Sequence, residues 1–409
     1  MRKKLLMVGV LLAVGLAILV GYPDRGGTNA KADKLYGATL ARIQSVNVTK
    51  ENGVRLLQPL WEGQTIQEPG PCPVANFWLG DYEQTLANIA ADPEGFDRDA
   101  AEFREKALPL LRAAVEKPVI AFPLELDYPQ PRGMSTPKDG RLETRSLTMA
   151  LSTMAVHCLA TGQRQEGMDY LVLAYRFVAR QSIDTDIVGG MLRAACVNLL
   201  TQDTLQLLEH VQLEPDELER LAAVVTDEVL PSRGYGRIMD IDYCLYRYRM
   251  EHPGEDEDGL LADMYLARNA AVMTDFYLKH RVDYDDLHRN LSQAEVEKEV
   301  TGRWLAHLVQ IAVINCFRSR DIYRMALTQL EATRAVLAIR IYEARHGALP
   351  ADLTGLEREP VAWVGEQFEY LLMSGGFELS SSSPVYVASG WGERMVFYPY
   401  RARESERSR

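Results

Sequence analysis

Little in this sequence announces a reaction. It has no GxSxG, no Walker loop, no GxGxxG behind a strand, no HExxH and no CxxC. Motif-borne acyl transfer, nucleotide binding and helical zinc sites therefore have no local support. Cysteine is scarce: Cys72, Cys158, Cys196, Cys244 and Cys316 are too few and too scattered for a disulfide framework. Four of the five fall in apolar helical patterns, where cysteine acts as a small hydrophobe. Cys72, between prolines in Pro71-Cys72-Pro73, is expected in an irregular loop and is the one candidate for a bridge. Positive charge is also short, with 45 Lys+Arg against 57 Asp+Glu and a net charge of −12. Setting aside Arg2, Lys3 and Lys4 leaves −12 − 3 = −15 on the remainder. A body this acidic lacks the basic face that a phosphate backbone requires, so nucleic acid is excluded as a partner.

One long hydrophobic run is present. Leu5 to Tyr22 (LLMVGVLLAVGLAILVGY) is uncharged and follows three basic residues. As a helix it spans about 27 Å, close to the hydrocarbon thickness of a bilayer. The flanking charge predicts a single-pass anchor in a bacterial inner membrane, with the body in the periplasm. A cleaved signal peptide with Ala30-Lys31-Ala32 as its processing site is the alternative, and it also exports the body.

The expected order runs anchor (1–22), linker and N-terminal helical region (23–117), Pro-rich connector (118–140), helical body (141–346), a small C-terminal α+β module (347–400) and a polar tail (401–409). Five prolines from Pro118 to Pro137 exclude a helix there and predict an extended run over a surface. Leu147, Leu151, Met154 and Cys158 recur at helical spacing, and Gly162 suits a helix stop. With GMDYLVLAYRFVAR behind it, this stretch predicts an antiparallel helical hairpin of tetratricopeptide type, without a second copy at the repeat period. Pro215 with Asp216 and Glu217 marks a helix start. Tyr243, Tyr246 and Tyr248 read as core filler. WLAHLVQIAVINCF reads as a core helix, too short and too polar for a second span. Beyond Gly347, FEYLLM, FELSS, VYVAS and MVFYPY predict a small antiparallel sheet. The fold class is therefore mostly α, a helical-hairpin body with a small C-terminal sheet behind a transmembrane helix.

Candidate chemistry is sparse. His280, Asp283, Asp285 and His288 form the densest group of metal-competent side chains, since imidazole and carboxylate suit zinc or iron. Their spacing joins the two histidines on no helical face, and a solvated acidic turn is the plainer expectation. Glu255 to Asp258 hints at a calcium loop, but Gly254 and Tyr265 occupy two positions where acids are required. Asp184-Thr185-Asp186 and Asp240-Ile241-Asp242 are DxD pairs; Asp184 is expected to cap the helix from Ile187, and Asp240 to lie within a helix. Glu125 and Asp127 are a carboxylate pair without a foreseeable cleft. No cofactor is expected.

The stretch RIYEARHGALPADL (340–353) ends a helix with Arg345, His346 and Gly347 and restarts at Pro350. With ALTQLEATRAVLAIRIYEARHGALPADLTGL and the strands after it, the C-terminal region resembles a helix-then-sheet module of bacterial proteins, loosely similar to type II secretion pseudopilins. KPVIAFPLELD followed by LSTMAVHCLATGQRQEGMDYLVLAYRFVAR is similar to uncharacterised membrane-anchored helical proteins of Planctomycetota-type bacteria. The resemblance implies a helical extracytoplasmic body and carries over no catalytic residue. A partner-binding or scaffold role is the leading expectation. An extracytoplasmic metal-dependent hydrolase built on His280, Asp283, Asp285 and His288, or a component of a secretion or pilus-like apparatus, are the alternatives.

Overall fold

The structure, a computed structural model, describes residues 26–48, 51–62, 72–124, 140–251, 271–281, 287, 298, 307–356, 358, 360–364, 367–373, 376–382 and 394–401. The expected anchor at residues 5–22 lies outside them. Among the described residues, no helix is long and apolar enough to cross a membrane. The chain is mostly helical, with a small antiparallel sheet at its C-terminal end.

The helices are α1 (Gly26–Val48), α2 (Tyr82–Ala91), α3 (Pro93–Glu102), α4 (Leu108–Val115), α5 (Glu143–Ala160), α6 (Arg164–Arg180), α7 (Ile187–His210), α8 (Pro215–Ala222), α9 (Gly234–Glu251) and α10 (His307–His346), with a further helical segment at 271–281. Their ends follow local chemistry. Asp81 and Asp92 accept from the backbone N–H three residues on, capping α2 and α3. Glu214 and Glu217 form a reciprocal capping box at Pro215. Gly162 and Gly347 stand at φ +81° and +71°, the left-handed stop that glycine adopts without penalty. Pro109 does not break the helical run before it. Phe103–Ala107 widens into a π turn, which accommodates the proline's missing N–H and its ring.

α5 and α6 pack as the hairpin read from the sequence, and α7 lies against α5. Gly167 lets the two hairpin helices approach, because a Cβ there would meet Leu159 at 2.5 Å. α10 packs along α7. The strands β1 (Glu369–Met373), β2 (Gly376–Ser382) and β3 (Arg394–Arg401) form a sheet in the order β1-β2-β3. The expected VYVAS strand falls outside the described residues. Among the described strands Pro399 lies on an edge, where proline is best tolerated.

The sheet shares the core of the helical body: Phe377, Leu379 and Tyr398 belong to the same buried cluster as Leu147, Leu171 and Leu208. Tyr398 donates its hydroxyl to the carbonyl of Leu208 at 2.8 Å. That carbonyl lies in the last turn of α7, where no intrahelical donor remains. The loop before the sheet is pinned in a similar way, since Thr328 on α10 accepts from the N–H groups of Trp363 and Val364.

One expectation is corrected here. Residues 118–124 are extended, and they are built into the body instead of lying free on a surface, with only Pro118 and Pro123 exposed; residues 125–139 lie outside the described residues. Ile120, Ala121 and Leu124 are buried, and Ile120 bridges to Gln181 while Val119 bridges to Asn52. The buried backbone finds partners on both sides. Ile120 donates to the carbonyl of Arg180, Ser182 donates to that of Ile120, and the Asn52 amide closes both polar groups of Ala121. Proline excludes a helix, but apolar side chains between prolines still favour burial.

Candidate functional site

Of the residues singled out by motif, those that the structure describes are taken up in packing and ion pairs. His280 is buried on the 271–281 helix, its ring 4.6 Å from that of Phe276. Asp283, Asp285 and His288 lie outside the described residues, as do Glu125, Asp127 and Glu255 to Asp258. Among the described residues, no group of three or more His, Cys, Asp or Glu is placed to hold a metal ion.

The two DxD pairs meet, but as ion pairs. The cap of α7 is Asp186, not Asp184; its carboxylate accepts from Gly189 N–H at 2.9 Å. It is pinned in turn by Arg141. Asp184 is freed from that role because it lies two residues too early, and it takes a forked guanidinium contact from Arg237 instead. Asp240 is buried on α9, where Arg281 and the Tyr277 hydroxyl cover it. Arg42 of α1 lies between them, 3.9 Å from Asp184 and 3.8 Å from Asp240. Asp184, Asp186 and Asp240 are thus each matched by arginine, and the network ties α1 to the body. Tyr243 stacks on Tyr277 with ring centroids 4.3 Å apart, as core filler should.

The described cysteines offer no nucleophile. Cys72, Cys158, Cys196 and Cys244 are free thiols, all buried. Burial pushes Cys158 and Cys196 up to about 11, and Cys72 above the ordinary thiol range, so the reactive thiolate is disfavoured. The bridge considered for Cys72 is absent.

Two buried charges escaped motif reading. Asp203 on α7 accepts from the Trp78 indole N–H at 2.9 Å and from the Ser152 hydroxyl. Desolvation pushes its carboxyl up to about 6. Its signal is positional, four residues from both Leu199 and Leu207 on the buried side of the helix. Arg193 is 3 % exposed and donates to four backbone carbonyls, of Ala179, Gln181, Glu228 and Val229. Burial pushes it down to about 10. It staples the end of α6 to the turn after α8.

The feature that offers room for a ligand is an open groove of about 710 Å³ along the last four turns of α10. α10 is apolar on two sides as far as Ile339, with Leu330, Leu337, Ala335 and Ile339 all buried. Past that point the core ends. Ala338, Ile341 and Tyr342 continue the stripe as the groove floor, facing Ala222, Ala223 and Val225 from the end of α8 and the turn beyond it. Ala344, in the final turn, is exposed.

Charge collects at the groove's two ends. At one end Arg345 pairs with Glu219 at 2.8 Å. At the other, Arg334 and Arg358 converge on Glu331 and Asp227. Burial raises the Glu331 carboxyl, and the two guanidinium groups partly offset that rise. His346 needs no role of its own in a reaction. Its ring stacks on Tyr342 at 4.1 Å, and Nδ1 lies 2.9 Å from the Tyr342 carbonyl at the negative helix end. The volume is in the range of ligand sites, and the lining combines an apolar floor with a few convergent polar groups. Such an arrangement is suited to binding. Compared with protein-family models, with curated proteins and with solved structures, the chain has no match.

Proposed function

We propose that this protein is a binding module, anchored in the bacterial inner membrane by residues 5–22, whose periplasmic body holds a segment of a partner protein in the α8–α10 groove. One observation carries the reading. The groove is the place where an apolar stripe, otherwise buried along α10, comes to the surface between charged ends. Among the described residues this stripe is only half covered, and grooves of this form receive partner segments. The ion-pair network of Arg42, Asp184, Asp240, Arg237 and Arg281 supports the tether, because it binds the helix that follows the apolar run to the rest of the body.

Site-specific photo-crosslinking in intact cells tests the reading. A photoreactive residue at Ala338, on the groove floor, is expected to give a discrete adduct. The same residue at the exposed position Glu94 on α3 is expected to give none. Ala223→Trp, which fills the groove from an exposed position on its other wall, should abolish the Ala338 adduct. Equal labelling from both positions, or an adduct indifferent to Ala223→Trp, overturns the proposal.

A further inference from the structure

We infer that the groove selects an extended peptide segment with a carboxylate at each end of a short aliphatic stretch, the two acids five residues apart. This rests on the binding reading above and names the chemistry of its partner.

The argument starts from charge. The chain as a whole is acidic, with a net charge of −12. The groove departs from that bias: the charged side chains lining it are Arg334, Arg345 and Arg358 against Glu219 and Glu331. In the free protein these arginines have carboxylate partners, but the pairs differ in quality. Arg345 and Glu219 are 53 % and 50 % exposed, and Asp227, which serves Arg334 and Arg358, is 69 % exposed. Exposed pairs of this kind contribute little and exchange readily. A ligand carboxylate arriving over the apolar floor meets the same guanidinium groups in a drier setting, where a charge-assisted hydrogen bond is stronger. Glu331, buried beside Arg334 and Arg358, stays paired with both, so a ligand carboxylate reaches these arginines by replacing the exposed Asp227.

Spacing supplies the second half. Arg334 and Arg345 stand 11 positions apart on one straight helix, a rise of about 16 Å. An extended chain advances about 3.3 Å per residue, so that span is five residue steps. Between the two charged ends the floor is Ala335, Ala338 and Ile341, facing Ala222 and Val225. Small residues on both walls admit a backbone at close range, and aliphatic side chains between the acids would cover the floor. A partner bearing basic residues at those positions would instead face guanidinium groups and be rejected.

The experiment uses the full chain purified in mild detergent and dye-labelled, end-capped hexapeptides read by fluorescence anisotropy. One peptide has glutamate at positions one and six with leucine and alanine between; its controls carry glutamine or lysine at both ends. The glutamate peptide is expected to bind about tenfold more tightly than the glutamine peptide, and the lysine peptide more weakly still. Arg345→Ala and Arg358→Ala, both at half-exposed positions, should each weaken the glutamate peptide about fivefold and narrow its advantage over the glutamine peptide. Equal affinity for the glutamate and glutamine peptides overturns the inference, as does indifference of the glutamate peptide to both substitutions. Tighter binding of dodecanoate than of the glutamate peptide also overturns it, in favour of a lipid carboxylate. An Ala338 crosslink in cells without a glutamate preference in vitro leaves the binding reading standing and removes this one.

Discussion

Replacing Arg193 with methionine tests how this fold closes its interior. The guanidinium has no carboxylate partner among the described residues. Nε donates to Val229 at 3.0 Å, Nη1 to Gln181 at 2.5 Å, and Nη2 to Ala179 at 3.3 Å and Glu228 at 2.6 Å. Two effects oppose each other. Hydrogen bonds from a buried charged donor contribute about 2 kcal/mol each, so losing four costs about 8 kcal/mol. Holding the charge in the interior is itself unfavourable. The fall from 12.5 to about 10 corresponds to about 3 kcal/mol, which methionine recovers. The hydrogen bonds win, and Arg193→Met is expected to destabilise by about 5 kcal/mol. Arg193→Lys keeps a charge but concentrates its donors at one point, so it cannot reach carbonyls on both the α6 end and the 228–229 turn. It should lose about 4 kcal/mol. Urea denaturation of the full chain in mild detergent, followed by far-ultraviolet circular dichroism, reads both values from the midpoint at unchanged slope. A methionine variant within about 1 kcal/mol of the parent would refute the staple.

Asp203 predicts a pH dependence. Its folded carboxyl titrates near 6 against an ordinary 3.8, so between those values the folded state holds more protons. Its contribution to stability therefore falls as pH rises through that window, by about 3 kcal/mol, and stays lost above it. Asp203→Asn should equal the parent near pH 4 and exceed it by about 2 kcal/mol at pH 8; denaturation midpoints that move in parallel across this range would contradict the assignment. Gly140 and Gly162 separate backbone strain from collision. Both have positive φ, but a Cβ at Gly140 would stand 2.2 Å from the Trp61 ring, whereas nothing lies within 4 Å of one at Gly162. Gly162→Ala should cost about 1 kcal/mol and Gly140→Ala about 3 or more, measured as loss of melting temperature. Tyr398→Phe removes the hydroxyl that holds the sheet to α7 and should cost about 1 kcal/mol in the same assay, with hydrogen exchange rising first in β3.

The legible parts of this chain are those whose causes are local. Gly162, Gly347 and Pro215 mark helix ends because left-handed backbone and a missing N–H act within a turn. The hairpin of α5 and α6 follows from periodicity across a short connection. The α7 cap was misplaced by two residues, since both aspartates suit a cap by type and only Asp186 directly precedes the first helical residue. The 118–124 segment was read as extended but placed on a surface, because its partners, Asn52 and Arg180 to Ser182, are remote in sequence.

The groove marks the division most plainly. The sequence by itself determined that the helix through Tyr342 stops at Gly347, because a glycine free to take positive φ suffices for that. It also determined the acidic balance that makes three arginines in one place notable. Only the tertiary structure decided where the core stops along α10, which wall faces Ala338 and Ile341, and that Arg334, Arg345 and Arg358 collect around them. The wall from α8 lies more than a hundred residues from the groove floor of α10 in sequence, and its placement is set by packing that no local pattern encodes.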